Sequence, residues 1–288
     1  MIRLRSQLIA AAILAVGLSP PTAAQDNPNY GPPNGTLVIA GGGSIRGTEI
    51  LERFIELGGG VSDGMFVVVP TAGGNYDKEG SVRVYDEALV LAPWRDFGVS
   101  NVSMLHTHDT AVADSEEFIA VLQQATAVWF NGGRQWRIVD SYAGTRTYEE
   151  FHKVLERGGV IGGSSAGATI QGTYLVRGDT SGPDIIMTDE VNHQRGFTFL
   201  RRSAIDQHVD TRNRWDDLVP VIDRNPELLG IGISERTAVV VTGDTFKVIG
   251  LGAVAVHDRT RAYEAGEKPY FLLNPGERFD MKLRAVLP

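Results

Sequence analysis

The sequence contains no cysteine among its 288 residues. A disulfide framework is therefore excluded, and so is a lipid-modified cysteine close to the N-terminus. The stability of the protein must come from its hydrophobic core. Hydrophobic residues make up 42% of the chain, which is an ordinary share for a globular protein.

Long hydrophobic runs are also missing. The longest, residues 8–18, is shorter than the roughly 20 apolar residues that a membrane-spanning helix needs. It follows Arg3 and Arg5 and precedes the small residues Thr22-Ala23-Ala24, which is the pattern of a cleaved signal peptide. We therefore expect residues 1–24 to be removed and the mature protein to be exported, to the periplasm or the medium, without a membrane span.

Positive charge is scarce. The chain has 27 lysines and arginines against 35 acidic residues, a formal net charge of −8. Residues 1–24 hold two arginines and no acid, so the mature chain would carry −10. This balance argues against a nucleic acid as partner.

Residues 25–34 are polar and rich in proline, and they predict a flexible lead-in to one domain over residues 35–288. From residue 36, short apolar runs alternate with stretches of helical periodicity. This rhythm predicts an α/β fold in which a mostly parallel sheet carries helices on both faces. The predicted strands are residues 36–40, 65–69, 102–105, 127–130 and 160–161, and the predicted helices are near residues 50–55, 82–97, 116–124 and 148–157.

The last third of the chain has a different pattern. Residues 238–249 form two β-rich runs on either side of Gly243-Asp244. Such a sequence predicts a β-hairpin, added to the same domain near the C-terminus.

The strongest chemical motif follows the last predicted strand of the βα series. Residues 163–167, Gly-Ser-Ser-Ala-Gly, match G-x-S-x-G, in which the central serine occupies a strained strand-to-helix turn. Ser165, not Ser164, holds the position of a nucleophile. The Ala166 amide and the Asn-Gly-Gly loop at residues 131–133 could then stabilise an oxyanion. The alternative is a glycine-rich turn without chemistry.

A serine nucleophile needs a base, and local sequence does not choose one among the six histidines. His208 is the best placed. His106 and His108 have the spacing of half a metal site, but without further evident ligands a polar loop is favoured. The Gly41–Gly43 run does not fit the dinucleotide fingerprint G-x-G-x-x-G. The six histidines are His106, His108, His152, His193, His208 and His257.

Taken together, these segments resemble the cyanophycinase branch of the S51 serine peptidases, relatives of aspartyl dipeptidase on the class I glutamine-amidotransferase-like fold. The resemblance runs from about residue 35 to residue 256. The matching segments are residues 38–43, 69–72, 129–135, 162–167, 206–214 and 226–235.

The family order of serine, acid and histidine implies Ser165 as nucleophile and His208 as base. It favours an acid soon after residues 174–177, which here is Asp184. Relatives carry Glu directly after the Ser-Gly pair, where this chain has Pro183. Asp179 and Asp206 therefore stay open as alternatives for the acid that orients His208.

The resemblance also implies that Gln135 and Arg214 hold substrate. For the oxyanion, the elbow and the loop at residues 131–133 lead us to expect the amides of Ala166 and Gly133 as donors. Arginine suits a carboxylate because its guanidinium offers two parallel donors. Ordinary surface polarity is the alternative for both side chains. Two departures affect substrate identity: Arg134 replaces an aspartate, and Asp216-Asp217 fall where cyanophycinases have a further basic residue.

The implied activity is hydrolysis of β-aspartyl peptide bonds through an acyl-enzyme, with no metal or organic cofactor. The expected partner is a peptide or polymer with aspartyl carboxylates, cyanophycin first, and a homodimer is compatible with it. The alternatives are a catalytically silent binding protein on the same fold, and an exported peptidase or esterase for another small acyl substrate.

Overall fold

The computed structural model describes residues 29–288, so the predicted signal peptide lies outside the described residues. Helices and strands alternate along the first half of this part of the chain, and strands dominate the second half. The helices are α1 (Ile50–Leu57), α2 (Gly60–Asp63), α3 (Glu87–Asp96), α4 (Thr110–Ala113), α5 (Glu116–Gln124), α6 (Gln135–Tyr142), α7 (Arg146–Glu156), α8 (Ala166–Thr169) and α9 (Val219–Arg224), with 3₁₀ turns at Thr71–Gly73 and Val191–His193. The strands are β1 (Thr36–Ala40), β2 (Phe66–Val69), β3 (Val102–Met104), β4 (Ala127–Phe130), β5 (Val160–Ser164), β6 (Ser203–Gln207), β7 (Leu229–Ile233), β8 (Thr237–Thr242), β9 (Thr245–Gly250), β10 (Val254–His257), β11 (Tyr270–Leu273), β12 (Arg278–Asp280) and β13 (Ala285–Leu287).

The larger sheet has nine strands in the order β13-β12-β9-β8-β1-β5-β4-β2-β3, and its β1-β5-β4-β2-β3 part is parallel. Three of the parallel strands, β1, β2 and β4, are rich in valine, alanine and phenylalanine and are buried almost throughout. Such continuous apolar strands are typical of a parallel sheet that is covered on both faces. The predicted α/β fold is confirmed.

Alternate residues of β1, β2 and β4 enter two separate cores, as the two-residue period of a strand requires. On β1, Val38 packs with helices α1 and α3, whereas Leu37 packs with helices α5, α6 and α7. The helices therefore cover both faces of the sheet, as predicted. All parallel strands end at one edge, where connecting loops meet.

Helix α3 begins at Glu87, five residues later than the predicted helix over residues 82–97. Asp86 caps it, because its carboxylate accepts a hydrogen bond from the Leu89 amide at 3.2 Å. The preceding residues instead form a small antiparallel turn in which Tyr76 pairs with Val82. We call residues 74–85 the β2–α3 loop.

The predicted hairpin is present as β8 and β9, which pair antiparallel around Gly243 and Asp244. Strand β8 also pairs antiparallel with β1, so the hairpin extends the larger sheet. The sequence did not indicate the second sheet, which has four strands in the order β11-β10-β7-β6. Its β6 and β7 are parallel, with Gln207 opposite Ile233.

Residues 29–34 differ from the predicted flexible lead-in. Tyr30 is only 4% exposed, and its amide donates to Asp244 Oδ1 at 2.8 Å. The Gly31 amide donates to the Gly243 carbonyl at 3.0 Å. These contacts with the β8–β9 turn make the described part of this segment belong to the domain.

Candidate active site

Ser165 lies on the tight turn between β5 and α8. Its backbone has φ 58° and ψ −115°, a strained conformation for a residue with a side chain. The amide of Ser165 donates to the Ala40 carbonyl at 3.0 Å, which fixes the turn against β1. Gly163 must lack a side chain because a Cβ there would lie 2.3 Å from the Gly167 carbonyl oxygen. The motif thus forms the predicted elbow geometry.

His208 follows the last residue of β6 and faces the elbow. Its Nε2 lies 2.9 Å from Ser165 Oγ. The His208 backbone has φ 57°, and its amide donates to the Gly41 carbonyl at 2.9 Å. The structure therefore brings together the two residues that were predicted as nucleophile and base, although they belong to different sheets.

Glu235 contacts the other nitrogen of the same imidazole, with Oε1 2.5 Å from His208 Nδ1. The parallel pairing of β6 and β7 explains this contact, because residues that follow Gln207 and Ile233 emerge at the same edge. The Glu235 amide donates to Asp210 Oδ1 at 2.9 Å, which ties the two loops together. A carboxylate in this position fixes the tautomer and orientation of a histidine base.

The Gly41–Gly43 run contacts this pair directly. A Cβ on Gly42 would lie 2.2 Å from His208 Cε1, and Gly42 has φ 113°. Its carbonyl accepts from the Arg236 amide at 2.9 Å. The run therefore holds the imidazole at van der Waals distance, which accounts for the glycines that did not fit a dinucleotide fingerprint.

Burial lowers the pKa of His208 below its usual 6.5, and the nearby positive charges of Arg212 and Arg214 act in the same direction. The hydrogen bond to Glu235 opposes them and raises the pKa. The net lowering keeps the imidazole neutral at pH 7. A neutral imidazole can accept a proton from Ser165.

The three acids that the sequence left open for orienting His208 lie elsewhere. Asp184 has a side chain that is 94% exposed, 3.9 Å from Arg214 Nη2. Asp179 accepts hydrogen bonds from Thr188 Oγ1 and the Ser181 amide, which stabilise their own loop. The expectation that Asp184 orients His208 is wrong, because Glu235 is the acid that contacts His208 Nδ1.

Asp206, the remaining alternative, pairs with the buried Arg177. The Arg177 Nε and Nη2 donate to the two carboxylate oxygens at 3.0 and 3.1 Å, and Nη2 also donates to Asp217. Asp216 pairs with Lys268 at 2.7 Å. Both residues of the Asp216-Asp217 pair are thus engaged inside the chain.

Gln135 differs from its predicted substrate-binding role. It is 2% exposed, and its amide nitrogen donates to the carbonyls of Val176 and Arg177 at 2.5 and 2.9 Å. These bonds connect the start of α6 with the loop that carries Arg177. The contacts are those of a residue that positions a loop.

Arg214 lies beside the histidine and is 7% exposed. Its Nη1 is buried without a hydrogen-bond partner among residues 29–288. Burial lowers the pKa of Arg214, and Arg177 lowers it further. Its only ion pair in the described chain is the long one to the exposed Asp184, so a buried guanidinium with an unbonded Nη1 is suited to a carboxylate from outside that chain.

The loop after β4 lies next to the serine. A Cβ on Gly132 would be 3.3 Å from Ser165 Cβ and 3.7 Å from Oγ. Within the described chain, the amides of Gly132 and Gly133 donate no hydrogen bond, and both residues are exposed. Free amides beside a hydroxyl fit the predicted oxyanion role of Gly133, with Ala166 at the start of α8 as second donor.

The other histidines do not enter this site. His106 Nδ1 lies 3.0 Å from Thr71 Oγ1, and burial lowers its pKa to about 4. No group of three or more potential metal ligands occurs in residues 29–288. Over the same residues, no helix is both long and apolar enough to cross a membrane.

Comparisons with known proteins identify the family of this chain. The model of peptidase family S51 matches residues 37–249, which include Ser165, His208 and Glu235. This chain belongs to peptidase family S51. It is therefore a serine-type peptidase with a cyanophycinase-like sequence.

Curated relatives and solved structures support the family and the fold. A cyanophycinase from Synechococcus elongatus is 34% identical over 229 residues, which cover 77% of this chain and 68% of that protein. One from Geminocystis herdmanii is 30% identical over 227 residues, covering 77% and 79%. The crystal structure of a peptidase from an acI-B1 Actinobacterium has a TM-score of 0.62 at 21% identity, over 86% of this chain and 97% of that one.

Glu235 is the site residue that sequence reasoning missed. It ends the segment 226–235, which was used for the family resemblance without a role for its last residue. The available signal was the apolar run 229–233, which is a buried strand parallel to β6. Two strands in one parallel pair end side by side, so Ser234 and Glu235, which follow β7, were candidate neighbours of His208.

Proposed function

We propose that this S51 peptidase is exported and hydrolyses β-aspartyl peptide bonds, with cyanophycin as the leading substrate, through a Ser165–His208–Glu235 triad. The observation that carries the proposal is the continuous contact from Ser165 Oγ to His208 Nε2 and from Nδ1 to Glu235. The similarity to cyanophycinases supplies the substrate class.

In the first half-reaction, Ser165 Oγ attacks the carbonyl carbon while His208 Nε2 accepts the hydroxyl proton. The negative charge moves to the carbonyl oxygen, where the amides of Gly133 and Ala166 would donate to it. The tetrahedral intermediate then expels the amine, which takes the proton from His208. An ester between the substrate acid and Ser165 remains.

In the second half-reaction, His208 takes a proton from water as the water attacks that ester. The acid leaves, and the proton returns to Ser165 Oγ. Glu235 stabilises the imidazolium in both halves, so its loss would lower the rate without removing the nucleophile.

Arg214 is the residue that we assign to a substrate carboxylate next to the scissile bond. Its free Nη1 and its proximity to His208 support this assignment. Lysine would keep the charge but lose the two-point contact. Arg214→Lys should therefore raise KM more than it lowers kcat.

Export rests on the sequence of residues 1–24 alone. N-terminal sequencing of the protein from the periplasm or the medium should find a start after Ala24. A sequence that begins with Met1 would contradict export through a cleaved signal.

The test of the function is an assay of the purified mature protein on cyanophycin, with release of β-aspartyl-arginine measured by chromatography. Isoaspartyl dipeptides and simple esters form the comparison panel. Turnover of cyanophycin that is lost in Ser165→Ala would support the proposal. Turnover of the esters alone would favour an exported esterase, and no turnover of any substrate would favour a binding protein.

A further inference from the structure

Three arginines gather beside the oxyanion loop. Arg83 lies on the β2–α3 loop, Arg134 precedes α6, and Arg137 lies in its first turn. A Cβ on Gly74 would have the Nη1 atoms of Arg137 and Arg83 at 3.2 and 3.8 Å, so the two guanidinium groups are neighbours. We call these residues the arginine cluster.

Backbone carbonyls hold the cluster close to Ser165. The Ala72 carbonyl accepts from the Arg134 amide at 2.8 Å and from Arg137 Nη1 at 3.1 Å. A Cβ on Gly133 would lie 2.0 Å from the same oxygen. Arg134 therefore directly follows the loop at residues 131–133, which contacts the nucleophile.

The charges of the cluster are not compensated. In residues 29–288, none of the three arginines has a carboxylate within the 4.0 Å of an ion pair. Burial and the charge of Arg137 lower the pKa of Arg134, while Asp179 and Asp184 raise it from farther away. Burial lowers the pKa of Arg137, and Arg83 lowers it further, while Tyr85 opposes them.

The cluster is positive and without ion pairs in the described chain, although the net charge of the whole sequence is −8. Arg134 and Arg137 are partly desolvated, and guanidinium groups that repel one another in such surroundings raise the free energy of the folded state, which a bound anion would lower. Their remaining partners are carbonyls and the rings of Tyr85 and Trp136, which leave other guanidinium N–H groups for a ligand.

We propose that the arginine cluster is a second carboxylate subsite, which binds a carboxylate of the substrate chain beyond the one assigned to Arg214. The inference rests on the proposed function, because it assumes a substrate with repeated carboxylates. Arg134 contributes a positive charge where the S51 resemblance places an aspartate. The cluster would therefore favour extended chains with repeated carboxylates over single dipeptides.

Binding to a variant that cannot turn over tests the proposal. Ser165→Ala is mixed with a short fluorescein-labelled oligo-aspartate, and fluorescence anisotropy gives Kd at low and high salt. Adding Arg134→Gln or Arg137→Gln should weaken binding about threefold to tenfold and reduce its salt dependence. Arg83→Gln, at an exposed position, serves as the variant least able to disturb the fold.

Arg95→Gln is the matched control. Arg95 is an exposed arginine without an ion pair in the described chain, at the end of α3 that leads toward the amino end of β3. It should leave Kd unchanged. Equal Kd for all these variants, or no binding of oligo-aspartate to Ser165→Ala, would overturn the subsite.

The same measurements separate this inference from the proposed function. Arginine-dependent binding without hydrolysis of any β-aspartyl substrate by the wild type would leave the subsite standing and reject the function. Hydrolysis of cyanophycin with the same kcat/KM in wild type, Arg83→Gln and Arg134→Gln would support the proposed function and reject the subsite.

Discussion

The two halves of the site are built in different ways. The elbow around Ser165 is made by five consecutive residues, 163–167, that end β5 and begin α8. The His208–Glu235 half joins residues 27 positions apart through the register of β6 and β7. A nucleophile turn can thus be read from neighbouring residues, whereas its activating pair depends on how two strands pair in a second sheet.

The elbow half should show the largest effect of a single change. Ser165→Ala should lower kcat by about 10⁵- to 10⁶-fold, because it removes the nucleophile. Ser164→Ala changes the neighbouring hydroxyl on β5 and should stay within about tenfold of the wild type. Steady-state kinetics on the best substrate measures both, and similar losses would show that the elbow geometry is misassigned.

A change of the acid Glu235, which belongs to the second sheet, should lower kcat less than loss of Ser165 does. Glu235→Gln should lower kcat about 10²- to 10⁴-fold, because the imidazolium loses its stabilising charge. Asp184→Asn is the matched control, since Asp184 is exposed and away from His208 Nδ1. A large loss with Asp184→Asn and a small one with Glu235→Gln would restore the acid that the family order favoured.

The glycine run that joins the two halves should have an intermediate effect. In Gly42→Ala the new methyl group would displace His208, and a misplacement of about 1 Å costs on the order of 100-fold in rate. Gly47→Ala is the control, because Gly47 also has a positive φ but no atom within 4 Å of its Cβ position. If both variants lose activity equally, backbone strain explains the effect and contact with the imidazole does not.

The pH dependence should show the smallest effect. The His208 pKa lies below 6.5, so the neutral base persists at pH 7 and kcat/KM should fall only as pH drops through that lowered value. Arg212→Gln removes a charge that lowers the pKa, and the acid limb should move to higher pH by less than about one unit. An acid limb that stays at the same pH or moves to lower pH would contradict this electrostatic account. Arg95→Gln is the control and should leave the profile unchanged.

The same contrast explains what the sequence could predict. Buried βα periodicity identified the five parallel strands, and G-x-S-x-G identified Ser165, because both signals lie within short windows. The second sheet was not predicted because its strands β6, β7, β10 and β11 do not follow a regular βα alternation, and its antiparallel and parallel pairs join residues up to 27 positions apart, as His257 and Gly230 are. Glu235 was not predicted for the same reason, since it lies close to His208 only once that sheet is formed.

The most direct test of the central claim is labelling by a fluorophosphonate, which reacts with an activated serine. The claim is that His208 from the second sheet activates Ser165 from the first. Wild-type protein should be labelled at Ser165 alone, as shown by peptide mass spectrometry. His208→Ala should react more slowly by several orders of magnitude, and adding Glu235→Gln to it should cause little further loss because the triad acts as a unit. Labelling of another serine, or an unchanged rate in His208→Ala, would contradict the account.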